Sequence, residues 1–129
     1  MRKQHAEHNE SLCYKIIPLN DYDDWVVTTA FYACIHYVEY KLFPLTENGT
    51  NYITFNKYYN DTIIATGKRG ISKHTLKMEL VKVYLPIVGP HYKRLMDNCL
   101  TARYNNYRIG KILSQIAVSD MTSVKAACI

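Results

Sequence analysis

One stretch constrains the fold more than any other. Residues 23–43 read DDWVVTTAFYACIHYVEYKLF and run directly into Pro44. Val27, Phe31, Cys34, Ile35, Val38 and Leu42 recur at helical spacing and make one continuous apolar face. Trp25, Val26, Ala30, Ala33 and Tyr37 carry apolar character around much of the remaining circumference. A helix that is apolar nearly all round must be covered by others, so this one belongs at the centre of a bundle. A single polar stripe survives, through Thr29, Tyr32, His36 and Glu39.

The flanking sequence supplies the cover. Residues 3–17 end in Leu12, Cys13, Ile16 and Ile17 at helical spacing, and Pro18 disfavours helix at the residue before it. Asp21, with Asp24 three residues on, resembles an N-terminal capping signal for the central helix. A third helix starts near Ser72 and carries Leu76, Leu80, Val83 and Tyr84 up to Pro86. Gly89-Pro90 opens a fourth, with Tyr92, Leu95, Met96, Cys99 and Leu100 in strict helical register. A fifth shows Ile109, Ile112, Leu113, Ile116 and Ala117, and the tail after Ser119 is weakly patterned. Residues 44–72 differ in kind. They hold the turn signal Asn48-Gly49, a polar tyrosine-rich run and the loop Gly67-Lys68-Arg69-Gly70. The expectation is an all-α protein: one domain over residues 1–129, an antiparallel up-and-down bundle of four to five helices. A loop or small hairpin is inserted at about residues 44–72.

Composition narrows the class. At 129 residues the chain can bury somewhat under ~70% of its unfolded surface, enough for one core without staples. Twelve tyrosines suit partly buried helix faces and adhesive surfaces, because the ring can pack while the hydroxyl stays wet. The net charge of +5, without any lysine or arginine run, leans towards polyanionic partners. Cys13, Cys34, Cys99 and Cys128 are scattered and never form CxxC, against both a disulfide framework and a zinc ribbon. Cys34 and Cys99 read as small buried hydrophobes. No window holds the ~18 to 20 apolar residues of a membrane span, and no apolar leader follows the first residues, so a cytoplasmic protein is expected.

Set in order, several short strings resemble bacterial HEPN-type proteins (the higher eukaryotes and prokaryotes nucleotide-binding family). FYACIH, residues 31–36, is similar to the FYA-x-x-H string of their second helix. His74 with Lys77 is similar to their H-x-x-R/K step, and Ala102-Arg103-Tyr104 to the element that ends a later helix. The resemblance runs from His5 to Tyr104. It implies an α-helical bundle, commonly a homodimer, associated with RNA cleavage, nucleotide binding and toxin–antitoxin or defence systems. The active ribonucleases of that family resemble one another in an Arg-x(4–6)-His motif that needs no metal. There the arginine stabilises phosphate charge and the histidine moves a proton.

The chain departs from that motif, since no histidine follows Arg103 within the next seven residues. A literal match occurs at Arg69 to His74. The candidate catalytic groups are therefore Arg69 or Arg103 for the phosphate and His74 or His36 for the proton. The other reading of His36 is a core histidine hydrogen-bonded to a tyrosine or threonine. Lys68, Arg94, Arg103, Tyr104, Tyr107, Arg108 and Lys111 form a loose set of cations and flat rings suited to a nucleic-acid backbone and its unstacked bases. No metal ligand set or cofactor motif is expected. Two functions stay open. One is a HEPN-like module that binds, and in the enzymatic case cleaves, RNA or nucleotides. The other is a non-catalytic helical module for dimerisation or for a protein partner such as an antitoxin.

Overall fold

The computed structural model describes residues 1–67 and 70–129. Its elements in chain order are α1 (Arg2–Ile16), a 3-10 turn (Ile17–Leu19), α2 (Asp23–Leu42), β1 (Leu45–Glu47) and β2 (Thr50–Tyr52). They continue with α3 (Phe55–Thr66), α4 (Lys73–Tyr84), α5 (Gly89–Tyr104) and α6 (Lys111–Cys128). This is the expected mostly helical bundle, with a two-stranded antiparallel hairpin inside the insertion.

α2 is the hub and packs against α1, α5 and α6. Val27, Ala30, Ala33, Cys34, Tyr37 and Val38 are fully buried on several sides of it. Valine, threonine and aromatic residues are mediocre helix formers, so burial rather than propensity holds this helix. Its two consecutive threonines cost little inside because each hydroxyl returns to its own helix: Thr28 donates to the Asp24 carbonyl at 2.8 Å and Thr29 to that of Trp25 at 2.7 Å. α1 covers α2 through the stripe Ala6, Glu10 and Cys13. The buried Glu10 carboxylate accepts from Tyr37 Oη at 3.0 Å and from Lys125 Nζ at 2.9 Å, so one acid ties α1 to α2 and α6.

Several local details differ from expectation. α2 starts at Asp23 with Tyr22 before it and no side-chain cap, so Asp23 and Asp24 serve the helix start through its dipole rather than as caps. The insertion carries a further helix, α3, capped by Thr54, whose hydroxyl accepts from the Lys57 amide at 3.2 Å. Buried Phe55 and Tyr58 dock it on an aromatic cluster with Phe43 and Tyr52. The tail after Ser119 is firm helix, since Asp120, Met121, Val124 and Cys128 are buried at helical spacing. Conversely, Leu12, Val83, Leu100 and Ile112 face outward. Ser72 does cap α4, accepting from the Thr75 amide at 3.0 Å. No described helix is long and apolar enough to cross a membrane.

Candidate functional site

The polar stripe of α2 organises the chemistry of the bundle, and its two ends are built differently. Near the C-terminal end, Glu39 is buried and faces two cations. Lys77 Nζ, itself buried on α4, donates to Oε1 at 2.6 Å, and Arg2 Nη1 lies 2.7 Å from Oε2 without the alignment of a hydrogen bond. Lys77 also sits 4.3 Å above the Phe55 ring. Burial lowers the Lys77 pKa and the Glu39 charge opposes that shift.

One turn back, His36 stacks face to face on His5 of α1, with ring centroids 3.7 Å apart. Its Nδ1 is buried without a hydrogen-bond partner and lies 3.8 Å from Glu39 Oε2, beyond hydrogen-bond range. Among the described residues His36 makes no hydrogen bond to a tyrosine or threonine; its contact is instead the stack on His5. Burial foremost, then His5, with Arg2 and Lys77 behind it and Glu39 opposing, pull the His36 pKa down to about 4. Near neutral pH it carries no proton to donate and accepts one weakly, a poor match for general acid–base work. His74, on the first turn of α4, packs its ring 5.6 Å from that of Phe31, and burial followed by Lys77 lowers its pKa also. Among the described residues neither histidine hydrogen-bonds to an arginine.

At the other end of the stripe sits Arg103, on the last turn of α5. Its guanidinium donates through Nη1 to Tyr32 Oη and lies 5.9 Å from the centroids of the Trp25 and Tyr32 rings and 5.8 Å from that of Tyr104. Three rings from two helices thus surround one cation. Trp25 and Tyr104 remain 48% and 74% exposed, so ring faces are left over for a ligand. Among the described residues Arg103 has no carboxylate within ion-pair distance. Close by in sequence, Arg108 Nε donates to Tyr107 Oη at 3.1 Å, and the guanidinium lies 5.4 Å from that ring. Lys111 opens α6 and reaches Asn20 at 3.3 Å and Asp23 at 3.4 Å, which closes this end of the bundle.

The structure therefore draws Arg103 and Tyr104 together with Trp25 and Tyr32, and places Arg108, Tyr107 and Lys111 about the α5–α6 junction. It sets Arg94 apart. Its Nε and Nη2 form a two-pronged bond, 2.7 and 2.6 Å, with the fully buried Asp120 of α6, which also meets His91 Nδ1 at 2.8 Å. Arg94 is thus spent on joining α5 to α6. Lys68 and Arg69 lie outside the described residues, and with them the literal Arg69-to-His74 motif. Sequence reasoning passed over Trp25 as an exposed ring beside Arg103, and Arg2, His5 and Lys77 as partners of the stripe. For Lys77 a signal existed: an acid on an otherwise buried helix needs a cation from a neighbour. Among the described residues no group of three or more histidine, cysteine or acidic side chains is placed to hold a metal.

The chain matches no family model, and at a significant level it matches no curated protein and no solved structure.

Proposed function

We propose that this protein is a HEPN-like bundle that binds single-stranded RNA on the face built around Arg103. The observation that carries this reading is the Arg103 cage: an arginine with aromatic rings and, among the described residues, no carboxylate for company, at an open surface. Such a cation keeps its capacity for a phosphate, while Trp25 and Tyr104 offer flat faces for unstacked bases. The +5 net charge supports the same partner class. Binding is favoured over cleavage because burial lowers the pKa of both candidate proton carriers, that of His36 to about 4, and neither hydrogen-bonds to an arginine among the described residues. A homodimer, an antitoxin-like partner and a defence setting rest on the family resemblance alone.

The test is anisotropy of a short labelled single-stranded RNA, titrated with wild type, Arg103→Ala and Trp25→Ala in EDTA. Each variant should bind about tenfold more weakly, since base–aromatic stacking contributes ~1–3 kcal/mol per base. The Arg103→Ala variant should also flatten the salt dependence by about one unit of slope. Wild type that leaves the RNA free at low salt overturns the reading and favours the protein-partner module. RNA shortened by wild type but not by His36→Ala would restore cleavage.

A further inference from the structure

The end of the bundle next to the Arg103 cage is recessed rather than flat. Between the 3-10 turn, α2 and α6 lies an open cavity of about 210 Å³. Its walls are aliphatic, from Ile17, Val26 and Val118, and its polar groups are Asp23, Ser114, Gln115 and Lys111, whose ammonium is held by Asn20 and Asp23. Through Asp23 it adjoins a second recess, about 260 Å³, lined by Tyr107, Arg108 and Gly110 among others. At 210 Å³ the first cavity falls below the ~300 Å³ at which drug-sized ligand sites begin, so it suits one flat ring system rather than a whole cofactor.

The polar groups decide which ring system. The Ser114 hydroxyl is committed to the Lys111 carbonyl at 2.8 Å, and Asp23 Oδ1 faces Lys111 Nζ at 3.4 Å. Gln115 is exposed and, among the described residues, makes no side-chain hydrogen bond, so its carbonyl and amide are both available. Asp23 can accept hydrogen bonds only. A side-chain amide paired to the amino group and ring nitrogen of a purine is a standard base contact, and a carboxylate welcomes amino donors and repels carbonyl oxygens. The carboxylates of Asp21 and Asp23 line these recesses, so the strand's phosphates belong on the Arg108 side of the shared wall.

We propose that this cavity is a base-reading subsite that takes a purine, recognised by its amino group through Gln115 and Asp23. The assignment rests on the RNA-binding reading above and adds to it a preference among sequences. Uracil has no amino group, presents two carbonyl oxygens to Asp23 and fills less of the aliphatic walls.

The experiment compares three labelled strands of equal length: oligoadenosine, oligouridine and a purine-riboside strand that lacks the amino group. Wild type should prefer oligoadenosine over each of the others by about tenfold, the effect of one good amide–base pair. Gln115→Ala, which touches only an exposed side chain, and Val118→Phe, which fills the cavity, should both erase the preference and leave oligouridine affinity unchanged. Equal binding of all three strands by wild type overturns the subsite while the RNA-binding reading stands. A preference that survives both variants overturns it too. If no strand binds, both fall together, an outcome distinct from the first two.

Discussion

The two ends of the α2 polar stripe hold similar chemistry and use it in opposite ways. At one end Arg2 and Lys77 converge on the buried Glu39, so the cations are answered by a charge of the protein's own. At the other end Arg103 meets the rings of Trp25, Tyr32 and Tyr104 and, among the described residues, no carboxylate. A cation paired with a buried carboxylate is bound up in the fold, whereas a cation over rings still lacks a counter-charge. The first end should report on stability and the second on ligand. Arg94 shows the same logic, since its bond to buried Asp120 removes it from the binding set although it lies on the same helix as Arg103.

The sharpest way to break this comparison is at Glu39. Glu39→Ala leaves Lys77 buried without its acid, and breaking a buried pair from one side costs about 3–5 kcal/mol. Replacing both partners by apolar residues, Glu39→Leu with Lys77→Met, should recover most of that loss, because no stranded charge remains. Urea denaturation of the two variants and wild type measures both effects. RNA affinity of the folded fraction should stay within about twofold of wild type. A tenfold loss of affinity in the apolar double variant would mean that the Glu39 end, not the Arg103 end, touches the ligand.

A smaller effect comes from pH. His36 has its folded-state pKa at about 4, below the ordinary 6.5. Above 6.5 the ring is neutral in folded and unfolded chain alike and contributes nothing to pH dependence. As pH falls from 6.5 towards 4 the unfolded chain takes up the proton first, so stability is lost across that window. With partial solvent access allowed for, the loss is about 1–2 kcal/mol. His74 pulls in the same direction, so His36→Gln should remove part of the acid slope and leave the rest. Stability curves at several pH values check this. An unchanged slope in His36→Gln would show that the stack on His5 does not exclude the proton.

How much of this could be read from the chain follows from what each signal depends on. The bundle and its central helix were legible because an all-round apolar stretch of that length admits few other homes. The cap at Ser72 and the first-turn Pro90 were legible because they are local. α3 was missed because asparagine and tyrosine are weak helix formers and its docking on Phe43 and Tyr52 is tertiary. The C-terminal part of α6 was read as weakly patterned because its buried positions include Asp120, whose burial makes sense only once Arg94 and His91 are beside it. The same limit applied to the site. The polar stripe Tyr32, His36 and Glu39 was visible, but which side chain meets each member was not, because Arg103, His5 and Lys77 lie far from them in sequence.

The finest test separates charge from shape at Arg103. Arg103→Lys keeps the positive charge but loses the planar, weakly hydrated guanidinium that lies among the three rings. In stability the change should be small, within about 0.5 to 1 kcal/mol, because a cation over exposed rings contributes no more than that. For RNA the prediction divides. The salt dependence should stay as in wild type, since the number of neutralised phosphates is unchanged. The affinity should still fall a few-fold, because an ammonium offers neither the two-pronged phosphate bond nor the stacking plane. A lysine variant that binds like wild type would reduce Arg103 to a point charge, and the aromatic cage would then be packing rather than part of the ligand surface.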